Sequence, residues 1–335
     1  MSRSTITAIA RKVGVSAATV SRALNGAPGV SDKKRREIQA LAAELNYHPN
    51  AIARNLQGQR TNTIAYAVDV SDRPSTDLFF FKDFITNLAF HCADYNLDLL
   101  IHPVTSGEQG VGQIERVLQS GRADGVIITD IRHDDQRIRY LYERKLCFVA
   151  FGHDDGIYRY PYVDVNGEQG IYQVTQHLID QGHQRIAFLG LPLAYYCAID
   201  RRDGYVQALR DNNISKIPEY IIVGLTNETE ARIAMEQLLT LPQPPTAFVT
   251  ASDMLAIHAM SVAHSHGLRA GQDYAITGFD DLPMAQHTDP PLTSLRQPFD
   301  QICKHLIELT IQQDNSPIET QQILLEPELI IRNSS

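Results

Sequence analysis

Apolar residues recur at helical spacing over the first 50 positions, and from Thr63 onward they come in short unbroken runs. Ile6, Ile9, Ala10 and Val13 keep an i, i+3, i+4, i+7 spacing that predicts one helical face, and Gly14 stops it. Ser16 stands where an N-cap belongs, so a second helix is predicted from about Ala17 to Leu24. Its Val20, Ala23 and Leu24 share one face, leaving Ala17, Ala18, Ser21 and Arg22 on the other. "NGAPG" (25–29) breaks this helix, and Ser31 caps a third whose Ile38, Leu41, Ala42 and Leu45 form a stripe to be buried. Two helices joined by a turn through Gly14 and Val15, supported by a third, are the parts of a helix-turn-helix. Proline interrupts the pattern in "NYHPN" (46–50), and "AIARNLQGQRTNT" after it is too short and polar for a helix stable alone, so it reads as a linker able to fold on contact.

Past Thr63, strand-length apolar runs alternate with amphipathic helical stretches: "TIAYAVDV" before "FKDFITNLAFHCADYN", "DGVIITD" before "IRYLYERK", "RIAFLG" before "RRDGYVQALRDN", "TAFVTAS" before "DMLAIHAMSVAHSHG". Alternating β and α units with short loops predict an α/β fold of parallel sheets covered by helices on both faces. There are more units than one sheet usually holds, so we expect two doubly wound lobes with a seam near "GIYRYPYVDV" (156–165). Ligands in such folds sit beyond the carboxyl ends of the strands, here between the lobes.

Charge sharpens this division. Residues 1–60 carry ten Lys or Arg against three Asp or Glu, a formal +7, whereas the remaining 275 carry −16. A basic head on an acidic body points to a polyanionic partner for the head alone. Cys92, Cys147, Cys197 and Cys303 are widely spaced and form no C-x-x-C pair, which argues against a disulfide framework or a zinc site and fits a reducing cytoplasm. "MSRSTITAIARKVG" has no apolar signal region, and no run of about 18 apolar residues occurs, so neither export nor membrane insertion is expected.

The stretch "TITAIARKVGVSAATVSRALNGAPGVSDKKRREIQALAAELNYHPNAIARNL" closely resembles the DNA-binding head and hinge of the lactose-repressor/galactose-repressor (LacI/GalR) family of bacterial regulators. Looser matches continue in order through "DGVIIT", "DQGHQRIAFLG", "RRDGY", "ASDMLAIHAM" and "GFDDLPMAQHTDPPLTSLRQP". The resemblance implies a type I periplasmic-binding-protein-like core behind the helix-turn-helix head. It divides the chain into a DNA-binding domain over 1–49, a hinge over 50–61 and a core over 62–335. Within the core we expect one subdomain from about 62–161 and 293–322, and the other from 162–292 and 323–335.

By the same resemblance the second helix enters the major groove and presents Ala17, Ala18 and Arg22 to base edges. Arg22 has the fork for a bidentate pair with guanine, whereas Ala17 and Ala18 offer methyl groups where other members carry longer polar side chains, so readout should lean on Arg22, thymine methyls and DNA shape. Thr5, Ser16, Thr19, Ser21, Asn25, Ser31, Tyr47 and Asn50 are implied DNA contacts, with ordinary capping the competing explanation for the hydroxyls. In the hinge, Leu56 matches the leucine that wedges into the minor groove, beside Ala53 and Arg54; packing against the body is its alternative.

In the core, Arg201 heads "RRDG" and resembles the arginine that holds effector, and Asp253 in "ASDMLA" resembles the acid that accepts ligand hydroxyls; an interlobe salt bridge is the other explanation for both. Phe80 and Phe81 fall where the family places aromatic ligand contacts, although a phenylalanine triplet equally starts a core helix. Tyr195 and Asn227 are candidates from position alone. "FDD" (279–281), the "NET" sequon (227–229) and His183 read as structural, and no phosphate-loop, dinucleotide or H-E-x-x-H motif occurs. The resemblance thus implies a cytoplasmic, homodimeric transcription regulator, not an enzyme, that binds pseudo-palindromic operator DNA under control of a small effector, with no metal and no cofactor. A carbohydrate effector is expected and a purine is the alternative; a sugar-transport component is the rival from another class. No heptad tail follows "LIIRNSS", so no tetramer is expected.

Overall fold

The computed structural model describes residues 5–24, 28–45, 47, 60–71, 78–105, 107–313 and 321–335, in two compact units, Met1–Thr61 and Asn62–Ser335. The first unit is built from α1 (Ile6–Val13), α2 (Ala17–Leu24) and α3 (Asp32–Glu44). Each helix starts on a hydroxyl cap. Thr5 Oγ1 accepts the Ala8 N–H (3.3 Å), Ser16 Oγ the Thr19 N–H (3.1 Å) and Ser31 Oγ the Lys34 N–H (3.4 Å), satisfying amides that have no partner inside the helix. Gly14, at φ 70°, ends α1 in the left-handed conformation that favours glycine. Ile9, Ala10, Val13, Val20, Ala23, Ile38 and Ala42 close the small core. Two cations of α3 lace it to the turns: Lys34 Nζ donates to the Val13 carbonyl (2.8 Å) and Arg35 Nη1 to that of Ala23 (3.4 Å).

The second unit holds two six-stranded sheets. In chain order its elements are β1 (Thr63–Asp69), α4 (Leu78–Asp94), β2 (Asp98–Val104), α5 (Glu108–Gln119), β3 (Gly125–Ile128), α6 (Gln136–Glu143), β4 (Phe148–Phe151), β5 (Tyr162–Val165), α7 (Gly167–Asp180), β6 (Ile186–Leu189), α8 (Tyr196–Asp211), β7 (Ile221–Ile222), α9 (Glu228–Leu239), β8 (Ala247–Thr250), α10 (Asp253–Ser265), β9 (Ala275–Asp280), β10 (Thr293–Arg296), α11 (Phe299–Gln312), β11 (Gln322–Leu325) and β12 (Glu328–Ile330). The first sheet runs β2-β1-β3-β4-β5-β11, all parallel; the second runs β7-β6-β8-β9-β10-β12, parallel except for β12. Both orders reverse beside their first strand, which opens a crevice at the strands' carboxyl ends. The central strands are wholly buried, as helices on both faces require: Gly125–Ile128, Ile186–Leu189 and Ala275–Asp280 contain no exposed residue.

The chain crosses between lobes after β5, after β10 and after β11. The crossings therefore fall after residues 165, 296 and 325, against the expected bounds of about 161, 292 and 322. Each strand completes its ladder before leaving the sheet: Tyr162 and Val163 pair with Ala150 and Phe151, Thr293–Arg296 pair with β9, and Gln322–Leu325 pair with β5. Close packing of α7 on α8 explains Gly204, because a Cβ there would run into the Glu168 carbonyl. No helix among the described residues is long and apolar enough to cross a membrane.

Candidate functional site

On the first unit, α2 turns Val20 and Ala23 into the core and leaves Ala17, Ala18 and Arg22 exposed, with Thr19 and Ser21 half-buried. Ser16, Thr5 and Ser31 serve as caps, yet all three are exposed. A capping oxygen accepts a hydrogen bond and its own hydroxyl hydrogen is still a donor, so capping and phosphate contact coexist in one side chain. In Ser16 the hydroxyl also meets Thr19 Oγ1 at 2.9 Å. Tyr47 packs its half-buried ring against the head core. Asn25, Asn50, Ala53, Arg54 and Leu56 lie outside the described residues.

In the second unit a cleft opens between the lobes, at the carboxyl ends of β3, β4 and β5 and the first turns of α8. Phe80 lines it. This ring also ends an aromatic stack, 5.9 Å from Phe84, 6.3 Å from Phe151 and edge-on to Phe299 at 5.2 Å. The two expectations for Phe80 are therefore one arrangement, a core aromatic whose outer edge reaches the cleft. Phe81 turns to Tyr66 instead, 6.0 Å away.

Arg201 reaches the cleft from α8. Its Nη1 donates to the Ala251 carbonyl (2.7 Å), its guanidinium lies 3.8 Å from the Phe279 ring centre, and its Nε is buried with no partner among the described residues. A buried donor without an acceptor costs free energy that a bound oxygen would return. Tyr195 sits at the lobe junction under Arg132, 5.3 Å from ring centre to guanidinium carbon, and the neighbouring Tyr196 N–H donates across the junction to the Ile131 carbonyl (2.9 Å).

Two other expected ligand contacts also make internal hydrogen bonds. Asp253 is fully buried: its carboxylate accepts the Leu282 N–H (2.6 Å) and the Ser294 hydroxyl (2.5 Å), and burial, with Asp280 nearby, holds its pKa well above the usual range. It joins the start of α10 to β10. Asn227 caps α9, accepting the Glu230 N–H (3.0 Å) and donating to Thr226 Oγ1 (3.2 Å). His183 bonds Thr246 Oγ1 (3.0 Å) and Asp281 pairs with Arg296 and Arg332, both structural roles.

The cleft instead gathers polar groups that periodicity and motifs passed over. His153 and Asp164, at the ends of β4 and β5, form a tight pair in which Asp164 Oδ2 accepts both the backbone N–H (3.0 Å) and the ring Nδ1 (2.6 Å) of His153, while Oδ1 accepts the Val165 N–H (2.7 Å). Asp200, on α8 of the opposite lobe, faces His153 Nε2 at 3.7 Å. Burial pushes the Asp200 carboxyl up to about 6, against the pull of His153. Burial works against protonated His153, but the hydrogen bond it donates to Asp164 and the charges of Asp164, Asp200 and Asp154 outweigh it and raise its pKa. One donor atom from each of His153, Asp164 and Asp200 lies within 4.8 Å of the others.

Asp130, just past β3, opens its carboxylate into the same cleft, and its loop is pinned by buried Arg137. The Arg137 guanidinium donates to the Thr129 carbonyl (2.9 Å), the Asp130 carbonyl (3.0 Å) and Asp135 (2.6 Å). Asp130, His153 and Asp164 all end or directly follow apolar strand runs, the positions that parallel-sheet topology assigns to ligand contact. That was the signal available for them in the sequence.

Comparison with known proteins matches residues 5–50 to the family model described as bacterial regulatory proteins, lacI family, and residues 175–335 to a periplasmic binding protein-like domain. The chain is 32% identical to the HTH-type transcriptional repressor CytR of Escherichia coli strain K12, covering 98% of this chain and 95% of that one. It is 29% identical to the ribose operon repressor of Haemophilus influenzae, over 97% of each. Among solved structures it is similar to the lac repressor dimer bound to operator and the anti-inducer ONPF (TM-score 0.88, 26% identity, 99% of each chain). It is also similar to a CelR–cellobiose complex (TM-score 0.74, 28% identity, 99% of this chain and 100% of that one).

Proposed function

This chain belongs to the lacI family of bacterial regulatory proteins, and on that premise we propose how its two units divide the work. It is a DNA-binding transcriptional regulator rather than an enzyme, and its partners are operator DNA, a sugar effector and a second copy of itself. The head reads one half-site through the exposed face of α2, with Arg22 as base reader, Ala17 and Ala18 against thymine methyls, and Thr5, Ser16, Thr19, Ser21, Asn25, Ser31, Tyr47 and Asn50 on the backbone. Two heads on a dimer match a pseudo-palindrome. Leu56, with Ala53 and Arg54, serves as the minor-groove wedge of the hinge. The regulator acts as a repressor in the cytoplasm.

The effector is a carbohydrate seated in the cleft against Phe80 and Arg201. The observation that carries this reading is the buried, unpartnered Nε of Arg201, a donor with no acceptor among the described residues, in a cleft also lined by the Phe80 ring, which can cover the apolar face of a sugar. Proteins similar to this one include a ribose operon repressor and a regulator solved with cellobiose, which supports the same class. The ligand touches both lobes, so it favours one interlobe arrangement over the other, and the dimer transmits that preference to the hinge as an order–disorder change. Calorimetry of the purified protein against a panel of sugars and nucleobases tests the effector class. A saturable sugar signal that also changes operator affinity supports the reading; binding of a purine alone overturns it.

A further inference from the structure

The polar groups of the cleft are unbalanced, and the imbalance bears on what the effector can be. This inference rests on the reading of the cleft as the effector site. Three carboxylates line it, Asp130 and Asp164 from the first lobe and Asp200 from the second. Against them stand one guanidinium and one imidazole. The guanidinium of Arg201 is committed through Nη1 to the Ala251 carbonyl and lies over the Phe279 ring. The side-chain amide of Gln297, also at the cleft, donates to Asp280 (2.6 Å).

The imidazole is committed as well. His153 gives Nδ1 to Asp164, and a neutral ring bonded that way presents Nε2 as an acceptor. Facing it across the lobes at 3.7 Å is another acceptor, Asp200 Oδ2. That distance is beyond hydrogen-bond range, so the two groups are opposed without being joined. A ligand hydroxyl suits such an arrangement because it can donate its hydrogen to either acceptor, and two neighbouring hydroxyls can serve both. A phosphate or carboxylate oxygen only accepts and finds acceptors on both sides. If His153 is protonated, the trio of His153, Asp164 and Asp200 still carries a net negative charge, and a second anion is repelled. Asp200 itself shows how crowded with negative charge and protein the position is, since burial with Asp164 and Glu168 nearby pushes its carboxyl up to about 6.

We infer that the cleft selects a neutral polyhydroxylated effector over its phosphorylated or carboxylated counterpart, and that His153, Asp164 and Asp200, reaching from the two lobes, make that selection. Asp164 acts through His153, which it orients; His153 and Asp200 touch the ligand.

The test uses the full chain in metal-free buffer with EDTA and matched probes: ribose with ribose 5-phosphate, glucose with glucose 6-phosphate and glucuronate, cellobiose with cellobionate. Calorimetry gives the affinity of each, and operator-binding anisotropy gives its effect. We expect at least one neutral sugar to bind and its anionic partner to be weaker by roughly a hundredfold or more, as like charges brought together cost several kcal/mol. In Asp200→Asn, checked for folding by circular dichroism, that ratio should shrink by at least about tenfold through tighter binding of the anion. An anionic sugar that binds as well as or better than its neutral partner overturns the inference and leaves the sugar-effector reading intact. An unchanged ratio in folded Asp200→Asn also overturns it. No response to any sugar, with operator binding retained, overturns both.

Discussion

Asp200 Oδ2 of one lobe stands 3.7 Å from His153 Nε2 of the other, and both groups have raised pKa values. A group whose pKa is raised on folding contributes stability that is complete below its unfolded value and is lost as pH rises through its folded value. For Asp200 that window lies between its ordinary value near 4 and about 6; for His153 it begins above the ordinary value of 6.5. Both signs agree.

Thermal unfolding of the second unit should accordingly show Asp200→Asn gaining on wild type as pH rises from 4 to 6, because the variant has no buried carboxylate to ionise. Replacing His153 by Asn should leave the variant less stable than wild type below about pH 6.5, where the imidazolium faces Asp154, Asp164 and Asp200, with the deficit shrinking as pH rises above that value. Calorimetric melts at pH 4.5, 6 and 7.5 measure both. Parallel curves for wild type and variants would remove these two residues from the pH response.

Arg22→Ala should erase most base preference of α2. A bidentate arginine–guanine pair is worth about 1–3 kcal/mol per half-site, and the neighbouring Ala17 and Ala18 have no polar atoms beyond the backbone. The measurement is the ratio of specific to non-specific DNA affinity at one salt concentration, with the salt dependence recorded. A uniform loss of affinity at unchanged ratio would make Arg22 a phosphate contact.

Arg137→Met should unfold the second unit at about 3–5 kcal/mol lower stability in urea. It leaves Asp135, itself held below the usual carboxylate range by the guanidinium despite burial, without its partner, and it frees the loop that carries Asp130. A loss under 1 kcal/mol would show that the loop is held by other means.

Gly204→Ala should destabilise the same unit by about 1–3 kcal/mol, since the added methyl meets backbone of α7 rather than a side chain that can swing away. The separately packed head should melt unchanged, which two-transition calorimetry would reveal. Its glycine is thus explained by helix packing, even though it lies in the same R-x-x-G stretch as Arg201.

The head was readable because its helices are specified locally: hydroxyl caps at Ser16 and Ser31, a left-handed stop at Gly14, and apolar residues at helical spacing, whereas the cap at Thr5 emerged only in the structure. The two lobes were readable from buried strand runs, with a seam near 156–165 that the structure closes with the end of β5 at Val165, a point set by strand pairing rather than by hydropathy. The cleft was harder. Residues at strand ends face the cleft or the core depending on backbone geometry that a sequence does not display. Asp253 and Asp200 are both acidic residues near the starts of helices, but the former bonds Leu282 and Ser294 while the latter faces the opposite lobe. His153 belongs to no motif and is defined only by partners 11 and 47 positions away.

The central claim is that ligand in the cleft and operator on the head bias one equilibrium, and linkage makes this directly measurable. Effector affinity should be determined with and without saturating operator, and operator affinity with and without saturating effector, at the same salt. The account predicts the same factor in both comparisons, about 5–150-fold for a typical allosteric coupling. An effector that binds the cleft with the same affinity whether or not operator is present would contradict it.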